Sequence, residues 1–411
     1  MMSLRKIIFS DKVTKETFWA IISKGILASF GIFLLIFIPK YVDPNIFGSF
    51  SLVMAYIYLF SIFFGVSIHD SVKKEISEGK FNATSCHYFV KGLELKVIIS
   101  FIASIGLYIG IMFIDIRNIK ENFFLFLTLL VLMNIWGSVV TAFESAHRLF
   151  YEAIMYFFEY GTKFTLILYF YFTSKLNFQT LLISFIAGYF FATLIGLVIF
   201  WKKFEKTKHI ITEKITSKIL SRALLLGITS IFFTTLQKID VIIISLFMTI
   251  KDVTYYSIAA EISKQSAMIS IPIILGAMPI FTAKIIKKAF NSVIKRLFLV
   301  NIVILLILLF GSGYIIEVIY GPDYLDVAII MRILSFLPLL ITLQTFTLQI
   351  LILKDATKEI FFFGLISSVL NILLNYLGVI LLGTVGVAIA IVLSYSSWFF
   401  MSYFFIKKNY L

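Results

Sequence analysis

Residues 223–265, ALLLGITSIFFTTLQKIDVIIISLFMTIKDVTYYSIAAEISKQ, decide the fold of this 411-residue chain. The stretch contains an apolar segment, a short polar turn at Lys251-Asp252 and the start of a second apolar segment. Four ionisable residues lie within it: Lys238, Asp240, Glu261 and Lys264. A charge at the centre of a bilayer costs at least about 2.5 kcal/mol, so such residues usually face a bundle interior or a watery cavity. The stretch therefore predicts two membrane-spanning helices that bring charges into a protein interior.

The composition of the whole chain supports the membrane class. Hydrophobic residues make up 60% of the sequence, with 46 Phe and 20 Tyr, which is far more apolar surface than a soluble domain of this length can bury. The net charge is +14. The basic residues are concentrated in alternate short loops, where the positive-inside rule explains them without a nucleic-acid partner. Some of them can also meet anionic membrane lipids.

The apolar periodicity predicts an all-α integral membrane protein with about 12 transmembrane helices, each near the roughly 20 residues that cross a bilayer. Pro272 and Pro279 predict a kink in the eighth span, because proline removes a helical hydrogen bond. The predicted spans are 17–38, 46–68, 97–114, 122–143, 153–172, 178–201, 223–247, 254–283, 297–316, 328–353, 360–382 and 385–406.

The distribution of Lys and Arg predicts that both termini are cytoplasmic and that all outside loops are short. We expect an N-terminal six-helix lobe at residues 1–201, a basic cytoplasmic linker at 202–222 and a C-terminal six-helix lobe at 223–411. The turns YVDPNIFGSF and LFMTIKDVTYYS occupy corresponding places in the two halves. Two halves of six spans would insert with the same orientation, a known plan for transporters that bind substrate between the halves.

We expect neither a metal nor a cofactor, because the sequence contains no motif that would bind one. The single cysteine, Cys86, cannot form an intramolecular disulfide, and the four histidines are scattered. The run GTVGVAIA at residues 383–390 lacks the strand and the Gly-Lys-Ser/Thr of a nucleotide loop. Its small residues instead predict close helix packing.

Four stretches together resemble the Wzx or RfbX type of bacterial polysaccharide flippase, within the multidrug/oligosaccharidyl-lipid/polysaccharide exporter superfamily. The resemblance extends over nearly the whole chain through the order and spacing of these motifs. The stretches are IPKYVDPNIFGSFSLV, LQKIDVIIISLFMTIKDVTYYSIAAEIS, IYGPDYLDVAIIMRILSFLPLL and SSVLNILLNYLGVILLGTVGVAIAIVLSY.

The resemblance implies two six-helix lobes around a central cavity that work by alternating access. The implied substrate is an undecaprenyl-pyrophosphate-linked oligosaccharide, carried across the bacterial cytoplasmic membrane for O-antigen, capsule or exopolysaccharide assembly. Membrane lipids and a polysaccharide polymerase with other assembly proteins are the implied partners. No enzymatic step is implied.

A polar, cationic interior would offset the cost of desolvating a pyrophosphate. The substrate-binding candidates are therefore the intramembrane lysines Lys24, Lys163, Lys238 and Lys264. The candidates for ion coupling or for structural ion pairs are the intramembrane acids Glu159, Asp240 and Glu261. Glu159 and Lys163 share a helix face at a spacing of four residues, whereas Lys238 and Asp240 point to different faces.

Several interpretations stay open for individual residues. Lys24 can line the interior or reach the cytoplasmic surface. Arg332 can line the interior or extend outward. Asn371 and Asn375 can hydrogen-bond between helices or contact sugar hydroxyls.

Two other function classes compete with the flippase. A drug or organic-cation antiporter of the same superfamily would favour an acidic interior, whereas this sequence has at least as many intramembrane lysines as acids. A membrane polysaccharide polymerase would need a large extracytoplasmic loop, which the short outside loops do not provide.

Overall fold

The computed structural model describes residues 11–61, 68, 72, 76, 83–112, 120–203, 213–281 and 287–411, and the predicted all-α class is confirmed for them. Each regular element in these ranges is a helix. The α-helices are α1 Asp11–Tyr41, α2 Pro44–Ser61, α3 Ala83–Met112, α4 Phe123–Ser145, α5 Leu149–Phe172, α6 Phe178–Lys203, α7 Glu213–Phe247, α8 Ile250–Ser266, α9 Ile271–Phe281, α10 Lys287–Tyr320, α11 Leu325–Leu334, α12 Leu337–Leu353 and α13 Thr357–Asn409.

Nine helical segments in the described ranges are long and apolar enough to cross a membrane. The predicted total of about 12 spans stays a prediction. The nine segments are Ile22–Tyr41, Pro44–Ser61, Phe123–Ser145, Phe178–Lys202, Ser230–Phe247, Ile250–Met278, Lys287–Tyr320, Pro322–Leu353 and Thr357–Asn409.

The eighth predicted span is interrupted next to Pro272, as predicted, whereas Pro279 lies within the continuous helix α9. A short 3₁₀ helix, Ala267–Ser270, separates α8 from α9 and lies just before Pro272. Pro272 has no N–H for the carbonyl of Met268, four residues earlier. The N–H of Ile271 bonds this carbonyl instead, which is the tighter i→i+3 pattern of a 3₁₀ helix.

Helix α13 is 53 residues long and contains a sharp break at Gly383. Gly383 has φ 61° and ψ −139°, a positive-φ conformation that glycine adopts readily and that residues with a Cβ rarely adopt. The break lies between the eleventh and twelfth predicted spans. Beside it, a Cβ on Gly378 or on Gly386 would collide with the backbone of the other. Small residues therefore let the two halves of α13 approach closely, as the glycine-rich run predicts.

The chain divides into two compact units. Unit 1 comprises residues 1–34 and 60–230, and unit 2 comprises residues 35–59 and 231–411. In unit 1 a buried apolar cluster around Phe143 and Phe200 joins α3, α4, α5 and α6. In unit 2 a cluster around Phe346 and Trp398 joins α9, α10, α12 and α13. The division into six-helix lobes at residues 1–201 and 223–411 stays a prediction.

Within unit 2, two tyrosine hydroxyls donate hydrogen bonds to backbone carbonyls near the C-terminal end of α1. Pro39 leaves the carbonyl of Leu35 without its helical donor, and the hydroxyl of Tyr320 donates to that carbonyl at 3.0 Å. The hydroxyl of Tyr324 donates to the carbonyl of Pro39 at 2.8 Å, at the C-terminal end of the helix. These bonds satisfy backbone groups that hydrocarbon could not satisfy.

Candidate functional site

In unit 2, four charged side chains of the stretch 223–265 form two ion pairs between α7 and α8. The Lys238 ammonium lies 2.7 Å from Glu261, and the Lys264 ammonium lies 3.2 Å from Asp240. Lys238 and Asp240 do not pair with each other, in agreement with their predicted faces. Both pairs join α7 and α8, which are antiparallel and connected by the short turn at Thr249. This turn is stabilised by a capping box, in which the side chains of Thr249 and Asp252 each accept a hydrogen bond from the other's backbone N–H.

Asp240 is the most enclosed carboxylate of this group, with no exposed surface. Its carboxylate accepts a bond from the hydroxyl of Tyr256 at 2.7 Å and from the backbone N–H of Val241 at 3.0 Å, in addition to Lys264. Lys264 also donates to the carbonyl of Gln237 at 2.7 Å. These bonds keep the charge of Asp240 compensated from several directions, as a buried carboxylate requires.

Lys238 and Glu261 lie closer to the surface of unit 2. The exposed fractions of their side chains are 19% and 34%. The Lys238 ammonium also lies 5.1 Å from the centre of the Tyr58 ring, within the range of a cation–π interaction. Loss of Lys238 would leave Glu261 partly solvated.

In unit 1, Glu159 and Lys163 form the predicted i,i+4 pair on α5, with 2.5 Å between Lys163 Nζ and Glu159 Oε1. Both side chains are only 1% exposed. Three rings surround the ammonium, with centres at 3.7 Å for Tyr189, 4.6 Å for Phe185 and 4.9 Å for Tyr160. The second oxygen of Glu159 is buried and has no hydrogen-bond partner among the described residues. Lys163 is thus sealed from direct contact with a ligand in this conformation.

Gly188 of α6 allows this helix to pack closely against the Glu159–Lys163 pair of α5. A Cβ at this position would lie 2.6 Å from Cγ of Lys163 and 2.7 Å from the backbone oxygen of Glu159. Real Cβ atoms essentially never come so near, so α6 can approach α5 here only with glycine.

Lys24 of α1 has a partner, Glu152, that was not among the predicted site residues. Its ammonium lies 2.8 Å from the carboxylate of Glu152, in the first turn of α5, and 5.5 Å from the ring centre of Tyr156. The exposed fraction of the side chain is 52% for Lys24 and 1% for Glu152. A signal for Glu152 exists in the sequence, because residues 152, 159 and 163 share one helix face at the spacing i, i+7, i+11.

The remaining candidates lie outside these pairs. Arg332 is exposed, and its Nε donates to Ser312 at 3.1 Å. Asn371 and Asn375 are fully buried on one face of α13, and their amide atoms have no hydrogen-bond partner among the described residues. Neither of the two roles predicted for these asparagines is visible in this conformation.

The comparisons with known proteins decide the family. The family model described as "Polysaccharide biosynthesis protein" matches residues 13–285, which is more than half of the chain. The chain belongs to this family. No protein among the curated sequences matches it.

Solved structures similar to this polysaccharide biosynthesis protein are transporters of the MOP superfamily. The lipid II flippase MurJ in an inward closed conformation is 17% identical, with a TM-score of 0.75, over 95% of this chain and 87% of that one. An inward-facing multidrug resistance MATE transporter is 13% identical, with a TM-score of 0.64, over 95% and 96% of the two chains. At these identities the likeness shows the fold, and the fold is that of MOP superfamily transporters.

A third similar structure is a MOP superfamily transporter from Pyrococcus furiosus, described as having a binding pocket of reversed polarity. It is 13% identical, with a TM-score of 0.59, over 99% of this chain and 98% of that one.

Each of the four candidate lysines of this chain is paired with a carboxylate. The four pairs differ in access. Lys163 is sealed by aromatic rings, Lys238 and Lys264 are mostly covered, and Lys24 is exposed over about half of its side chain. Lys24 is the candidate that a ligand can reach in this conformation.

Proposed function

We propose that this protein is a flippase that carries undecaprenyl-pyrophosphate-linked oligosaccharide repeat units across the bacterial cytoplasmic membrane by alternating access. Its membership of the polysaccharide biosynthesis family supports a role in assembling a surface polymer. The observation that carries the proposal is Lys24, a lysine in an apolar span that keeps about half of its side chain exposed. A cation in that position can compensate a pyrophosphate that leaves water.

The other candidates take different roles under this proposal. Lys238 and Lys264 supply further positive charge, and their bonds to Glu261 and Asp240 hold α7 and α8 together when no substrate is bound. Lys163 and Glu159 stabilise unit 1 from within. The translocated substrate would pass to a polysaccharide polymerase and other assembly proteins.

The drug or organic-cation antiporter is the competing candidate within the same superfamily. A cationic drug would be attracted by an excess of carboxylates in the binding region. Here the four lysines are matched by four carboxylates, namely Glu152, Glu159, Asp240 and Glu261. This balance leaves no excess of carboxylates of the kind that would attract a cationic drug. The short predicted outside loops count against a polymerase.

Deletion of the gene, followed by analysis of lipid-linked oligosaccharides and surface polysaccharide, tests the proposal. We expect surface polymer to disappear and lipid-linked units to accumulate facing the cytoplasm. Complementation with Lys24→Ala should restore at most a small fraction of the polymer. The matched control is Lys91→Ala, which removes a lysine from an exposed ion pair with Glu94 and should complement fully.

Three outcomes would contradict the proposal in different ways. Normal polymer with altered drug tolerance would favour the antiporter. Repeat units that reach the outer leaflet but stay unpolymerised would favour the polymerase. Full complementation by Lys24→Ala would remove Lys24 from the substrate path.

A further inference from the structure

Arg332 of α11 differs from the four candidate lysines, because in the described part of the chain no carboxylate pairs with it. Its side chain makes one hydrogen bond there, from Nε to the hydroxyl of Ser312 at 3.1 Å. Ser312 is fully buried in α10, so it holds the guanidinium at a fixed place on the surface of unit 2. The N–H groups on the two Nη atoms meet no acceptor among the described residues and are open to a ligand.

The surface around Arg332 is apolar. Ile329 and Phe336, each about one turn from Arg332 on α11, are exposed, and so is Tyr314 on α10. Nη2 of Arg332 lies over α10, 3.8 Å from the place that a Cβ on Gly313 would take. Both helices belong to segments that are long and apolar enough to cross a membrane, so this surface is suited to contact with lipid.

Arg332 and Ser312 lie at similar predicted depths. Arg332 is four residues inside the tenth predicted span, and Ser312 is four residues inside the outer end of the ninth. At the helical rise per residue, both lie about 6 Å below the predicted outer boundary of the hydrocarbon. The Cβ of Arg332 tilts towards the start of α11, which is its predicted outer end, so the long side chain extends towards the lipid headgroups.

The carboxylates at this end of α10 and α11 leave the guanidinium uncompensated. Asp323 and Asp326 interact electrostatically with Lys251. Glu317 is exposed one turn beyond Gly313 on α10, and no ion pair joins it to Arg332. A cation at this depth is costly without a counter-ion, which a lipid of the surrounding membrane can supply.

We propose that Arg332, held by Ser312, binds the phosphate of a lipid in the predicted outer leaflet. A guanidinium presents paired N–H groups in a fork that matches two phosphate oxygens. The apolar tail of the lipid would cover the exposed Ile329 and Phe336. A phosphate on an apolar tail is shared by phospholipids and by undecaprenyl-linked pyrophosphates, and the site does not depend on the proposed flippase function.

Site-directed photocrosslinking of the full chain tests the site. The photoreactive residue p-benzoylphenylalanine replaces Ile329, and the protein is purified in dodecyl maltoside, a detergent without phosphate. Equal amounts of dioleoylphosphatidylglycerol and dioleoylglycerol are added, and mass spectrometry counts the lipid adducts after illumination. We expect about tenfold more adducts of the lipid that carries the phosphate, because a charge-assisted pair contributes at least that factor in affinity.

The same replacement at Ile380 provides the matched control. Ile380 is exposed and lies near the predicted outer end of the eleventh span, at a depth similar to that of Ile329. We expect it to capture the two lipids about equally, since position 380 lies on another helix, α13.

Two substitutions of Arg332 separate its charge from its geometry. Arg332→Gln should reduce the preference at position 329 to that at position 380. Its dioleoylglycerol adducts should persist, which shows that the surface is still folded. Arg332→Lys keeps the charge but loses the fork and the bond from Nε to Ser312, so its preference should be intermediate.

A second competition at position 329 identifies the source of the phosphate. Undecaprenyl pyrophosphate then replaces dioleoylglycerol in the mixture. A majority of isoprenoid adducts would support the site as a station for the substrate headgroup in the outer leaflet. A majority of phosphatidylglycerol adducts would support it as the site of a resident phospholipid.

Three outcomes would overturn the proposal. The first is equal capture of phosphatidylglycerol and dioleoylglycerol at position 329, and the second is an undiminished preference in Arg332→Gln. The third is a preference that appears only in Glu317→Gln, which would identify Glu317 as the counter-ion of Arg332. All three leave the flippase function standing, because the gene deletion tests that function separately.

Discussion

At the scale of single residues, Lys163 shows how a charge can be stabilised deep inside a membrane protein. One of its donors meets the carboxylate of Glu159, and three aromatic faces surround the rest of the ammonium. An aromatic ring carries partial negative charge on its face, so each ring attracts the cation. Lys163 would therefore retain favourable contacts if Glu159 were neutral, whereas Glu159 would have no comparable support without Lys163.

This asymmetry predicts the stability of the single variants. Lys163→Met leaves a buried carboxylate without its counter-ion and should lower the free energy of unfolding by about 3–5 kcal/mol. Glu159→Gln should lower the free energy of unfolding by less, because the aromatic rings still face the lysine. The double variant Glu159→Gln/Lys163→Met should be more stable than Lys163→Met, because it leaves no buried carboxylate. The measurement is the unfolding temperature of the purified protein in detergent, followed by intrinsic fluorescence.

The exposed pair between Lys91 and Glu94 provides the control for that series. Lys91→Met should change the free energy of unfolding by no more than about 1 kcal/mol, because water screens an exposed pair. Equal losses for Lys163→Met and Lys91→Met would mean that the buried pair contributes nothing special to unit 1.

At the scale of secondary-structure elements, glycines set the distance between α5 and α6. Gly188 lies against the backbone of Glu159, and further along α6 Gly196 lies against Met155. Gly161 of α5 points into open space, since no atom lies within 4 Å of a Cβ placed there. The two helices thus contain two glycines at close contacts, Gly188 and Gly196, and one in open space, Gly161.

Gly188→Ala and Gly161→Ala should consequently change stability in opposite directions. Alanine at position 188 collides with a backbone atom that cannot move without separating the helices, and should cost about 1–3 kcal/mol. Alanine at position 161 should add about 0.5–1 kcal/mol, because alanine stabilises a helix interior relative to glycine. Unfolding temperatures of the two variants check both signs. Equal tolerance at both positions would contradict the close approach of α6.

At the scale of the whole molecule, the chain combines apolar helices with a strongly basic set of loops. Lys407 and Lys408 are exposed at the end of α13, and Lys287 and Lys288 are exposed at the start of α10. The positive-inside rule predicts that such residues lie in the cytoplasm. The turn at residues 173–177, which contains only one basic residue, is predicted to lie outside.

Reporter fusions test this orientation. A green fluorescent protein joined after Leu411 should fluoresce, because it folds in the cytoplasm. Alkaline phosphatase inserted after Ser174 should be active, because it requires the oxidising side of the membrane. Loss of both signals would invert the predicted topology. One active and one inactive reporter would place both positions on the same side and change the number of spans between them.

The sequence by itself determined much of the helical layout, because the responsible chemistry is local. Pro272 removes one backbone donor, and the 3₁₀ interruption is found just before it. Gly383 permits a positive φ, and α13 breaks at that residue. The pairing of Glu159 with Lys163 also follows from the sequence, since a spacing of four residues places both side chains on one helix face.

Only the tertiary structure decided which charges meet across helices. Lys238 pairs with an acid 23 residues away and Lys264 with one 24 residues away, so the helical hairpin had to be formed first. Glu152 lies 128 residues from Lys24 and was not among the predicted site residues. Helical periodicity gives the face on which a residue lies but not the helix that faces it. The exposure of Lys24 and the burial of Glu152 likewise depend on neighbouring helices, because a side chain in a span is covered by whatever packs against it.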